Sequence, residues 1–146
     1  MKHISILNCS VEEVWNAIES SLLYDIEMAT SQKVEPKDFD VGFTYQKKMR
    51  ASRGGMITAD VVIKEFDMNK KYTAQFTTNE GINIVSYSLE RMNDTECKLT
   101  YIEEYKANKK LNSWNAELVS VFLVFNYKKR IRKMMESIEN YVVSQR

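Results

Sequence analysis

The segments VGFTYQKKM (41–49), ITADVVIK (57–64), YTAQFT (72–77), VSYSL (85–89) and CKLTYIEEY (97–105) alternate apolar and polar side chains. A period of two is what a strand with one buried face requires, because successive side chains leave a strand on opposite sides. The breaks between the segments are turn signals: Ser52-Arg53-Gly54-Gly55, Asp67 to Lys70, Asn79-Glu80-Gly81 and Asn93-Asp94-Thr95. Five strands joined by short turns predict an antiparallel meander with one apolar face.

On either side of the meander the period changes. His3 to Leu7 reads as a further short strand, ended by Asn8-Cys9-Ser10. Ser10 with Glu13 has the spacing of a capping box. Val11, Val14, Trp15, Ile18, Leu22 and Leu23 then follow at helical spacing, predicting an amphipathic helix over about residues 11–23. Tyr24 to Ala29 reads as a short second helix, followed by a loop through Pro36. After Ser113, a capable N-cap, no Gly or Pro occurs before the last residue. A helix over 113–143 would be ~46 Å long at ~1.5 Å per residue. Trp114, Leu118, Val121, Phe125, Ile131, Met135, Ile138 and Val142 approximate one apolar stripe along it, interrupted by Lys128, Lys129, Arg130, Arg132 and Lys133.

Length and composition narrow the choice of function. At 146 residues the chain fits one domain able to bury a core without disulfide or metal. Lys and Arg number 21 against 20 Asp and Glu, a net charge of +1, which lacks the basic excess of a nucleic-acid binder. No segment approaches the ~20 apolar residues of a membrane span, and no leader is read at the start, so a cytoplasmic location with reduced thiols is expected. With one histidine, two cysteines and no ligand-spaced cluster, neither a metal nor another cofactor is expected. No Gly-rich phosphate loop, nucleophile elbow or other catalytic signature is present, so no catalytic residue is assigned.

The order strand, helix, five-strand meander, long terminal helix carries one further cue. A strand running into Ser10-Val11-Glu12-Glu13-Val14-Trp15-Asn16-Ala17-Ile18 resembles the opening of START-like, birch-pollen-allergen-like helix-grip domains. Ile138-Glu139-Asn140-Tyr141 is similar to their closing helix. Within that superfamily the chain looks most like an uncharacterised group of small proteins from Gram-positive bacteria. The resemblance implies an α+β fold over 1–146, in which a curved antiparallel sheet of about six strands is wrapped around the C-terminal helix. It also implies a cavity between the two. In the superfamily that cavity often holds lipids, sterols, polyketides or other apolar molecules. Some members are enzymes, so the fold alone does not give the function. The first and last strands of such folds are antiparallel neighbours, which would bring Cys9 and Cys97 together.

Two charged residues fall in the apolar parity. Lys47 lies between Tyr45 and Met49, and Glu103 between Tyr101 and Tyr105. Glu103 either sits at a wet rim or faces the cavity, where burial suits a carboxyl to acid–base work or to orienting a ligand. Lys47 is either an edge-strand lysine that discourages sheet-to-sheet pairing or a second polar group of the same wall. Tyr45, Tyr101, Tyr105 and Glu103 are the expected pocket lining, for a hydrophobic or amphipathic small molecule.

The segment Leu118 to Phe125 is apolar almost all round, and a helix apolar on every side is covered on every side. The N-terminal helices, a second copy of the chain or a lipid surface are the alternatives for that cover. Val119, Phe122 and Leu123 are the expected interaction surface if a partner or a homodimer supplies it. Membrane contact through the adjoining basic cluster is the least favoured of these.

Overall fold

In the computed structural model the chain runs β1 (Lys2–Leu7), α1 (Val11–Thr30), a single 3-10 turn (Pro36–Asp38), β2 (Thr44–Arg50), β3 (Met56–Asp67), β4 (Lys71–Thr77), β5 (Gly81–Arg91), β6 (Cys97–Ala107) and α2 (Ser113–Ser144). The structure describes residues 1–38, 40–51, 54–107 and 113–146, and within α2 it describes side chains from Lys128 onward.

All six strands form one antiparallel sheet in the order β1-β6-β5-β4-β3-β2. Strands β2 to β6 are the predicted meander. Strand β1 returns to pair with β6, with His3 opposite Tyr101 and Leu7 opposite Cys97. Cys9 and Cys97 are both buried free thiols beside that junction. Burial and then the neighbouring Cys9 push the Cys97 thiol up to about 11, so neither geometry nor ionisation suits it to nucleophilic work.

Helix α1 opens on the predicted capping box: the Ser10 hydroxyl accepts from the Glu13 N–H, and the Glu13 carboxylate accepts from the Ser10 N–H. The helix does not stop near residue 23. Ile26 continues the buried series Val11, Val14, Trp15, Ile18 and Leu22, so one apolar stripe runs through a single helix to Thr30. Ser31 then ends it in the left-handed region, with φ of 58°. The expected second helix is therefore the last part of the first. Strand β2 begins three residues later than its apolar alternation suggests. Gly42, at φ of 93°, turns the chain there before regular pairing starts at Thr44.

A bulge in β3 shapes the concave face. Ile63 pairs with Ala74 but Glu65 pairs with Thr73, leaving Lys64 as the extra residue. Strict alternation would have carried Glu65 inward. The bulge reverses the parity, so that Phe66 lies with Tyr72 on the inner face and Glu65 bonds the Thr73 hydroxyl outside.

The core lies between this face and the two helices. Val61, Ile63, Ala74 and Leu99 from the sheet meet Val14, Ile18 and Ile26 from α1. From α2, Ile131, Met135 and Val142 are buried, with Met134, Ile138 and Tyr141 half-buried beside them. That spacing of three, four and seven residues is one helical face, and each such side chain contributes roughly 1.5–3 kcal/mol by leaving water. Lys128, Lys129, Arg132 and Lys133 are exposed.

Candidate functional site

Directly paired residues of neighbouring strands share a face with their side chains in contact. On the concave side this places Phe66 opposite Tyr72, Tyr72 opposite Tyr87, and Tyr87 opposite Tyr101. The rings touch in series. Phe66 and Tyr72 meet edge-on at 6.4 Å, Tyr72 and Tyr87 stack at 5.8 Å, and Tyr87 and Tyr101 meet edge-on at 5.1 Å. Trp15 of α1 closes the row on Phe66 at 5.1 Å. The result is an aromatic band running across four strands.

Beyond the band, toward the other end of the strands, a cleft of about 750 Å³ opens between the sheet, α1 and α2. Its walls include Leu22, Met49, Phe76, Val85, Met134 and Ile138, with Tyr72, Tyr87 and Tyr101 from the band. Tyr87 bonds the Met134 sulfur at 3.2 Å and so ties the band to α2.

Two polar clusters stand on opposite sides of the cleft. On the β2 side, the Tyr45 hydroxyl donates to Asp25 Oδ2 at 2.7 Å and Lys47 Nζ reaches Asp25 Oδ1 at 2.7 Å. Lys47 also lies 5.8 Å above the Phe76 ring. On the β6 side, Glu103 accepts from the Tyr101 hydroxyl at 3.0 Å, from Asn83 Nδ2 at 3.0 Å and from Arg130 of α2. The Glu103 side chain is only 10% exposed and that of Arg130 is 59% exposed, so a buried carboxylate is met by a cation reaching in from water.

The tyrosines of the cleft are weak acids. Burial, assisted by the hydrogen bond to the Asp25 carboxylate, raises Tyr45 well above its ordinary value. Burial raises Tyr101 in the same way, with Tyr87 and Glu103 adding to it. Burial and the Glu103 charge push Tyr87 to about 12, and burial with Tyr87 raises Tyr72. At neutral pH all four present hydroxyls rather than phenolates, so they act as hydrogen-bonding groups and not as bases.

Of the residues expected to line a pocket, Tyr45, Tyr101 and Glu103 lie on this cleft. Tyr105 does not. It shares their parity, but it lies near the end of β6, outside the cleft lining. The residue is 54% exposed and its hydroxyl donates to the Glu80 carbonyl. Lys47 sits on the edge strand and still turns inward, because Asp25 on α1 offers it a partner. Val119, Phe122 and Leu123 lie outside the residues whose side chains the structure describes.

Sequence reasoning missed Asp25, Asn83 and Arg130. Asn83 was within reach: it has the parity of Val85 and Tyr87, two residues earlier, once β5 is allowed to start at Gly81. Asp25 was hidden by ending the helix too soon. Arg130 reads as one more solvated charge of a basic cluster. Among the described residues no group of His, Cys, Asp and Glu side chains is placed to hold a metal ion. Among the described residues, too, no helix is long and apolar enough to cross a membrane.

Comparison with known proteins identifies the fold and the family. The model of a family described as Domain of unknown function (DUF3284) matches residues 1–124, so the chain belongs to that family. No curated protein matches it in sequence. Among solved structures, the Zhui aromatase/cyclase from Streptomyces sp. R1128 superposes with a TM-score of 0.66 at 13% identity, covering 97% of this chain and 94% of that one. Ara h 8.0201 gives a TM-score of 0.60 at 13% identity, covering 99% and 97%. Protein CV1439 from Chromobacterium violaceum gives 0.59 at 15%, covering 95% and 96%. At these identities the likeness is one of fold: a curved six-stranded antiparallel sheet with a C-terminal helix, the helix-grip arrangement.

Proposed function

We propose that this DUF3284 domain binds a hydrophobic or amphipathic small molecule in the cleft between the sheet and α2. The observation that carries the reading is the cleft itself. Its volume of about 750 Å³ falls within the ~300–1,000 Å³ of small-molecule sites, and its mainly apolar walls with a few convergent polar groups match their chemistry. Tyr45, Asp25 and Lys47 on one side, with Tyr101, Glu103 and Asn83 on the other, are the groups that would orient the polar parts of the bound molecule. The fold is shared with an aromatase/cyclase, which supports a site at this place in the architecture without giving its ligand or a reaction.

Native mass spectrometry of the purified protein, joined to titration with the neutral dye Nile red, tests this. The expected result is a bound mass of a few hundred daltons that leaves on denaturation, or dye uptake by the empty protein. Either should be abolished by Val85→Trp, which fills the cleft from its floor. An empty protein that takes up no dye would overturn the reading, and so would dye uptake unchanged by the tryptophan.

A further inference from the structure

A cleft that takes up a ligand needs a way in. Of the described residues that line it, four are exposed: Ser21 and Tyr24 of α1, and Arg130 and Ser137 of α2. Every described lining residue from the sheet is buried or half-buried. The cleft lining therefore meets water along the two helices and not along the strands.

Helical geometry orders this opening. Ala17, Ser21, Tyr24 and Met28 follow at steps of four, three and four residues, which makes them one flank of α1. Burial falls along that flank: Ala17 is 7% exposed, Tyr24 65% and Met28 66%. On α2, Tyr141, Ser137 and Arg130 form the matching flank, and it too passes from half-buried to exposed. Arg146 pairs with Glu13 and pins the end of α2 to the start of α1. Tyr24 lies about 16 Å further along α1. The helices are thus clamped together at one end of the cleft, and both flanks reach water toward the other. The side chains between are small. Ser21 and Ser137 face the opening, and the Ser137 hydroxyl turns back to the Lys133 carbonyl of its own helix.

Building on the proposed binding site, we infer that its ligand enters and leaves between α1 and α2, through a portal at Ser21 and Ser137 with the Tyr24 ring as its gatepost. Tyr24 sets how fast a ligand exchanges and not how tightly it is held. With Met28 beside it, it also gives an apolar molecule a surface to meet before entry.

Stopped-flow mixing with Nile red at neutral pH tests this, because a gate changes the barrier and not the two end states. Association and dissociation then shift by the same factor, and Kd holds. Ser21→Trp and Ser137→Trp narrow the portal, and each is expected to slow both rates roughly tenfold. Tyr24→Ala is expected to speed both. Lys129→Trp, at an exposed position of α2 outside the cleft lining, should leave both unchanged. All four positions are exposed, so the variants should keep the circular dichroism of the wild type. Narrowed variants that exchange dye as fast as the wild type overturn the inference while leaving the binding site standing. So does a change in Kd carried by dissociation alone, which marks a contact and not a gate. If the wild type takes up no dye, the site reading itself fails and the inference falls with it.

Discussion

Replacing Glu103 by leucine or by glutamine should have very different consequences, and the difference follows from who depends on its two oxygens. Glu103 Oε1 accepts from Asn83, and Oε2 accepts from Tyr101 and Arg130. Leucine removes every acceptor at once. Arg130 is more than half exposed and can turn to water. The Tyr101 hydroxyl and the Asn83 amide are held in the wall and cannot follow it. Each buried donor left unpaired costs ~1–3 kcal/mol, and the apolar gain from leucine returns on the order of 1 kcal/mol. The net cost is about 2–4 kcal/mol, a fall in Tm of roughly 6–12 °C for a chain of this size. Glutamine keeps the shape. Its carbonyl can serve Tyr101 and Arg130, and its amide can donate to Asn83 once that side chain turns over, which also engages the oxygen now lacking a partner. Its cost should stay below about 1 kcal/mol. Urea unfolding followed by circular dichroism measures both. Equal stability of the two variants would show that Glu103 is a wetted surface acid in solution and would refute the cluster. A triple change, Glu103→Leu with Tyr101→Phe and Asn83→Leu, should recover most of the loss, because no donor is then stranded.

Ile131→Ala should cost about 3 kcal/mol in the same assay, since this side chain is 1% exposed and fixes α2 on the sheet. A loss below about 1 kcal/mol would mean that the helix is not seated as described. Glu13 is held at about 2, against an ordinary 4.5, by its hydrogen bond from Arg146 and then by the Ser10 N–H. A lowered folded-state value stabilises above the ordinary one, so this contribution should be complete above pH 4.5 and disappear as pH falls toward 2. Arg146→Ala should move the Glu13 titration upward in a carboxyl-detected NMR experiment, and a wild-type Glu13 titrating near 4.5 would show that the clamp is not made. Cys97, raised to about 11, and buried Cys9 should resist thiol reagents at neutral pH until the protein unfolds. Rapid labelling of the native protein would contradict that burial.

The elements that could be read in advance are those whose signal is local. Period-two alternation located β2 to β6, the Ser10–Glu13 box located the start of α1, and the absence of Gly and Pro after Ser113 located α2. Parity also placed Tyr45, Tyr101 and Glu103 on the concave face. Parity says which face a residue takes and not how far the cover above that face extends, which is why Tyr105 was expected in the cleft and lies outside it. The extent of α1 was underestimated because Tyr24 and Met28 are exposed and dilute the apolar signal around Ile26.

The remaining features have no local signal. The bulge at Lys64 reverses the parity of β3, and only the pairing with β4 reveals that Phe66 joins the aromatic band. Asp25 meets Lys47 and Tyr45 because α1 packs on the edge strand, and Arg130 meets Glu103 because its side chain reaches from α2 to β6. The sequence by itself determined the strands, the helices and the inward-facing set, since each depends on periodicities a few residues long. The tertiary structure alone decided which charges cancel and which polar groups are left open, because electrostatic pairing and burial depend on distances between residues remote in the chain.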